Sequence, residues 1–177
     1  MKIMKKLLVV LVVVVLFTSS NALCQNSVNA APKKASWKKV IKAFKNYGDK
    51  VGKAYYFENG DYQILTTKSG KWISFVYFDS VIHVQFELKK SSGSFKVNYK
   101  YYDPGEVLFK TSKKFKIKSF NPRNQGVNYK VKVGYGTNKA YAKHNVNKNV
   151  SRVMKNFNKM LKNETGVSFK KLGFKKF

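Results

Sequence analysis

The feature that most restricts this chain is a change of hydrophobic period, from helical to alternating and back. Trp37, Val40, Ile41, Phe44 and Tyr47 recur at helical spacing, while Lys38, Lys39, Lys42 and Lys45 fall on the other side. Ser36 is placed to cap this predicted helix and Gly48 to stop it. From Ala54 to about Tyr135 the period becomes two, so successive side chains point to opposite faces of extended strands. Turn signals interrupt the run at Asn59-Gly60, Ser69-Gly70, Asp79-Ser80, Ser92-Gly93, Asp103-Pro104-Gly105 and Asn121-Pro122. After Gly136 the helical period returns. Val146, Val150, Val153, Met154, Phe157 and Leu161 share one face, and Lys148, Arg152, Lys155, Lys159 and Lys162 the other, with Gly166 as the stop.

This order predicts an α+β fold. An N-terminal helix is followed by an antiparallel β-meander of about six to eight strands, and a long C-terminal amphipathic helix packs on the sheet's apolar face. A curled, barrel-like sheet with a helix is the alternative, since eight strands suffice for closure. The tail from Gly166 to Phe177 has little periodicity and is expected to add an edge strand.

One hairpin gives a register. With Ser92-Gly93 as a two-residue turn, Leu88 faces Val97, Phe86 faces Tyr99 and Val84 faces Tyr101, so apolar meets apolar throughout. The other parity carries His83, Gln85, Glu87 and Lys89. A tight turn at Asp79-Ser80 adds Ile73, Phe75 and Tyr77 to the apolar face.

The first thirty residues read as an export signal. Lys2, Lys5 and Lys6 precede an unbroken apolar run from Leu7 to Phe17, far short of the roughly 20 residues that span a bilayer. Small residues mark cleavage sites at Ser20-Asn21-Ala22 and at Val28-Asn29-Ala30; the second lies just ahead of the first helix and is preferred. The expected division is residues 1–30 as signal peptide and 31–177 as one basic domain, secreted or associated with the cell surface and not transmembrane. Cys24, the only cysteine, has Leu23 before it and Asn21 three before, a poor match to a lipidation motif. Cleavage after Ala30 removes it, so a packed core rather than a disulfide must hold the exported chain together.

The full chain carries a net charge of +28, and losing Lys2, Lys5 and Lys6 with no acid leaves +25. Only Arg123 and Arg152 are arginines. Lysine is a solvated point charge, whereas arginine offers the planar fork that reads phosphates and base edges. The balance points to diffuse electrostatic binding and away from sequence-specific nucleic-acid recognition. It also fits a genome rich in lysine and asparagine codons.

The strongest candidate site comes from carrying the alternation through FKVNYKYY, VLFK, KFKIKSF and NYKVKVGY. Phe95, Val97, Tyr99, Tyr101, Val107, Phe109, Phe115, Ile117, Val127, Tyr129, Val131 and Val133 then form the buried side. Lys96, Lys100, Lys110, Lys114, Lys116, Lys118, Lys130 and Lys132 form the exposed one. Like charges opposite each other on neighbouring strands are destabilising, and an anionic polymer would relieve that repulsion. The structural alternative is a solvated face whose lysines discourage edge-to-edge aggregation. A possible aromatic patch, Trp72, Phe78 and His83, lies on the same parity and is expected to be covered, or else to stack on sugars or bases.

Nothing in the sequence argues for an enzyme. Most of the eight acids sit at turns or helix ends, and Glu87 alone lies mid-strand, near Gln85 and His83. His144 lies in a polar stretch, and no cluster has enough ligands for a metal or cofactor site. The sequence therefore leads to a non-enzymatic exported protein that binds anionic cell-wall polymer or an anionic membrane surface, such as teichoic acid or acidic lipid. Extracellular nucleic acid would be bound only non-specifically. Two other readings remain: a carrier holding an apolar ligand among Phe75, Tyr77, Phe86 and Tyr99, and an inhibitor or immunity-type module that docks an acidic protein.

Overall fold

The structure, a computed structural model, describes residues 34–175 apart from 48, 52–53, 68, 91–92, 104–105 and 122–128. The leader, Cys24, Gly48, Arg123 and Val127 lie outside the described residues. The element order is α1 (Lys34–Tyr47), β1 (Asp49–Val51), β2 (Ala54–Asn59), β3 (Tyr62–Thr67), β4 (Trp72–Phe78), β5 (Ile82–Lys89), β6 (Ser94–Asp103), β7 (Glu106–Lys116), β8 (Lys132–Val133) and α2 (Lys139–Thr165). The strands pair antiparallel in chain order as one open sheet with β1 and β8 at its edges, so the barrel alternative is not what forms. Among the described residues no helix is long and apolar enough to cross a membrane.

Alternation decides the faces as expected, but both hairpin registers are two residues off the sequence prediction. Leu88 pairs with Phe95, Phe86 with Val97 and Val84 with Tyr99. The Gly93 carbonyl accepts the Ile117 N–H at 2.7 Å, so Gly93 already bonds across to the end of β7 just ahead of β6. At the preceding hairpin Phe78 pairs with His83. There the Asp79 carboxylate accepts the Val81 and Ile82 N–H groups at 2.8 and 2.6 Å, widening the turn. A shift of two residues preserves parity, so every side chain keeps its predicted face.

Between β6 and β7 parity does change. Tyr101 pairs with Phe109 but Tyr102 pairs with Val107, leaving Leu108 as a bulge. Val107, predicted to be buried, is consequently 39% exposed, and Leu108 packs against the core instead. Val133 is likewise exposed at the sheet edge, and Tyr101 and Phe115 are half-buried. Lys113 occupies a core-parity position opposite Val97, and its ammonium lies 5.3 Å from the Phe115 ring centre. The aliphatic stem covers apolar surface while the charged end meets the ring.

The apolar face is covered by α2, a helix about 40 Å long. Asn138 caps it, its side chain accepting the Ala140 and Tyr141 N–H groups, and Gly166 at φ 65° ends it in the left-handed region. Val146, Val150, Val153, Met154, Phe157 and Leu161 are all buried. Phe157 sets its edge against Tyr62, Phe75 and Phe86 at centroid distances of 5.1, 5.4 and 6.1 Å. Helix α1 lies beside α2 and β2 and buries Trp37, Val40, Ile41 and Phe44. It begins at Lys34, ahead of Ser36, which therefore sits in the first turn and does not cap it. The Trp37 indole N–H donates to the Gly70 carbonyl at 2.7 Å.

The tail is not an edge strand. Phe169–Leu172 form a 3₁₀ turn in which Phe169 and Leu172, three apart, face the core while Lys170 and Lys171 face out. Phe169 and Phe174 meet Phe75 and Phe95 at 5.2 and 5.1 Å. Replacing the fully buried Phe157 with alanine should lower stability by about 3–5 kcal/mol, read from denaturant melts, because three rings lose their common contact.

Candidate functional site

Two faces of the sheet diverge in chemistry. One is buried beneath α2. The other carries Lys96 and Lys100 from β6, Lys110, Lys114 and Lys116 from β7, and Lys132 from β8, all exposed. Pairing sets them directly opposite one another: Lys96 with Lys114, Lys100 with Lys110, and Lys110 with Lys132. Lys130, two residues before Lys132, is exposed as well, although its backbone precedes β8 and its carbonyl accepts the Thr111 hydroxyl at 2.9 Å. Lys118 leaves the row, since β7 ends at Lys116 and the chain turns over residues 117–119. Glu87 pairs across with Lys96 and lies 3.7 Å from Lys89, while Asp103 and Glu106 pair with each other at the far end of β6 and β7.

Running across the strands between these lysines is a row of uncharged hydrogen-bonding side chains. Gln85 donates to the Ser74 hydroxyl at 3.0 Å, Asn98 donates to the Gln85 carbonyl at 3.1 Å, and the Ser112 hydroxyl donates to Asn98 at 2.7 Å. Ser74 and Gln85 are buried. Lys96 and Lys114 stand on one side of this row, Lys100 and Lys110 on the other. Alternation puts Gln85 and Asn98 on the same face as the lysines, but alternation alone does not show that they bond. Two carboxamides at facing mid-strand positions were the available signal, and the two-residue register error hid it.

The expected aromatic patch divides. Trp72 is half-buried beside Tyr56, Leu65 and Val76 and pairs with Lys89. Phe78 lies at the far end of β4, about 20 Å away along the strand. It packs edge-on against His83 and Tyr102 at 5.8 and 6.4 Å. The His83 Nε2 atom is buried and has no hydrogen-bond partner among the described residues. Burial, followed by the charge of Lys100 across the pair, lowers its pKa to about 4.

A lysine-lined cleft of about 370 Å³ lies apart from the sheet face, at α1. Lys38, Lys42, Lys45 and Lys90 surround it, with Trp37 and Ile41 beneath. The four rings proposed to hold an apolar ligand, Phe75, Tyr77, Phe86 and Tyr99, are buried, and Phe157 of α2 packs against Phe75 and Phe86. Among the described residues no group of three or more His, Cys, Asp or Glu side chains could hold a metal ion. Comparison with protein families, curated proteins and solved structures finds no match.

Gln85→Ala should destabilise the fold by about 1–3 kcal/mol, because the buried Ser74 hydroxyl and the Asn98 amide both lose a partner. Chemical denaturation will measure it. For His83 the folded imidazole stays neutral to about pH 4, whereas an unfolded one protonates near 6.5. The unfolded chain therefore binds more protons in that window. The resulting stability is intact above about pH 6.5 and declines toward pH 4, by at most about 3 kcal/mol. Melts from pH 7 to 4 should show this slope in the native chain and lose it in His83→Gln.

Proposed function

We propose that this protein binds anionic polymers of the cell surface through the lysine-bearing face of β6, β7 and β8, without catalysing a reaction. The observation that carries the reading is the direct cross-strand pairing of lysines, Lys96 with Lys114 and Lys110 with both Lys100 and Lys132. A face that only needed solubility could mix signs, as surface charges usually do. Here repulsion between facing lysines opposes the fold by about 0.2–1 kcal/mol for each pair, and a polyanion laid across the strands removes it. From the row of bonded side chains, Asn98 and Ser112 reach the surface between the charges, where they can meet hydroxyl and phosphate oxygens. Lysine predominance favours teichoic acid or acidic lipid over base-specific nucleic acid. An export signal at residues 1–30 would deliver the protein to such polymers.

Retention of purified protein on isolated cell walls and on acidic vesicles should fall at least about tenfold between roughly 0.05 and 0.5 M salt, as the Debye length shortens. Two variants of equal net charge separate this face from charge in general. Changing Lys96, Lys100, Lys110 and Lys114 to glutamine should abolish most retention and leave thermal stability unchanged or raised. Changing Lys143, Lys155, Lys159 and Lys162 on α2 should preserve most of it. Equal losses in the two variants would remove the sheet face as the site. Retention carried only by an acidic protein partner would favour the inhibitor-type reading.

A further inference from the structure

On the helix side of the sheet, away from the lysine face, a cavity of about 270 Å³ opens between the β4–β5 turn and α2. Asn145, Lys148, Asn149 and Arg152 reach it from one side of the helix, at the spacing that stacks residues on a common face. Tyr101 and Asp79 complete its polar lining.

The carboxylate in this cavity is already committed. One Asp79 oxygen accepts the Tyr77 hydroxyl at 2.6 Å, and the other accepts the Val81 and Ile82 N–H groups. Burial alone would raise its pKa, but these bonds and the nearby Arg152 hold it below the ordinary carboxylate value. Asp79 is thus an anchored anion that builds the turn. Among the described residues, Lys89–Glu87 is the one ion pair within 4.0 Å, so Arg152 and Lys148 have no carboxylate that close.

Arg152 is nevertheless oriented. Its guanidinium lies 5.2 Å from the centre of the Tyr77 ring, and one of its N–H groups reaches the Asn149 carbonyl at 3.5 Å. Asn149 and Asn145 are fixed in turn by the buried Tyr99 hydroxyl, which donates to Asn145 at 3.1 Å and accepts from Asn149 at 3.1 Å. Asn145 accepts from Asn149 and gives one amide N–H to the Tyr141 hydroxyl at 3.2 Å, and its second N–H has no partner among the described residues. The result is a cavity with two cations, a positioned amide and one carboxylate that already accepts three hydrogen bonds. That donor set matches a compact oxyanion, and a guanidinium fork meets phosphate oxygens two at a time.

We propose that this cavity binds a phosphoryl group, either as inorganic phosphate or as the terminal phosphate of a small hydroxylated ester. The site is separate from the lysine face, and each can fail without the other. Titration of the purified chain with inorganic phosphate and with glycerol phosphate, followed through the Asn145 and Asn149 side-chain amide signals, should show saturable one-to-one binding. Glycerol should produce none. Arg152→Gln should weaken binding at least tenfold, and Arg152→Lys several-fold, because it keeps the charge and loses the fork. Lys148→Gln, on the helix surface, should also weaken it several-fold and guards against misfolding of the arginine variants. The variant lacking Lys96, Lys100, Lys110 and Lys114 should bind phosphate within twofold of the native chain. Tighter binding of glycerol phosphate than of phosphate would identify the ester as the occupant, and equal affinity the bare anion. No saturation, binding unchanged in Arg152→Gln, or binding lost in the sheet variant would overturn the proposal.

Discussion

Burial of the aromatic sheet face beneath α2 is the interaction on which the rest of the molecule depends. Each strand alternates, so placing Phe75, Phe86, Val97 and Phe109 against the helix side obliges the intervening residues to face the other way. Phe157 is seated among rings from three strands, and the tail adds Phe169 and Phe174 to the same layer. The lysines opposite are therefore held in a cross-strand array by packing that they take no part in. Their mutual repulsion is modest beside the burial of several aromatic side chains, each of order a few kcal/mol, and so the sheet tolerates it.

The uncharged row from Ser74 to Ser112 changes how that array should be pictured. It is not a uniform carpet of charge. Two lysine rows are divided by side chains already bonded to one another, which fixes the distance between the rows by strand geometry alone. On the helix side the arrangement is different in kind. There the cations belong to one helix, the neighbouring Asp79 is held by Tyr77 and by its own turn, and Arg152 is steered by a tyrosine ring. The first surface suits an extended partner and the second a compact one.

Much of the fold was legible because period is a local property. Trp37, Val40, Ile41 and Phe44, and later Val146 through Leu161, announce helix faces without reference to anything distant. Face assignment in the meander survived two wrong registers because a slip of two residues does not alter parity. Val107 was misplaced because a bulge at Leu108 has no signature in the alternation itself. The tail was misread because Phe169, Leu172 and Phe174 follow neither period. Their burial depends on a hydrophobic space created by elements far away in sequence.

The sequence by itself determined the order of elements, which side of each strand is apolar, and that lysines would dominate the exposed side. These follow from side-chain chemistry repeated at the spacing of the backbone. Tertiary structure alone decided which lysines face each other, that Lys118 turns away, and that Asn145, Asn149 and Arg152 of α2 meet Asp79 and Tyr101 around a cavity. Register depends on turn hydrogen bonds and on a bulge, and the cavity joins residues from β4–β5, β6 and α2 that no local pattern connects.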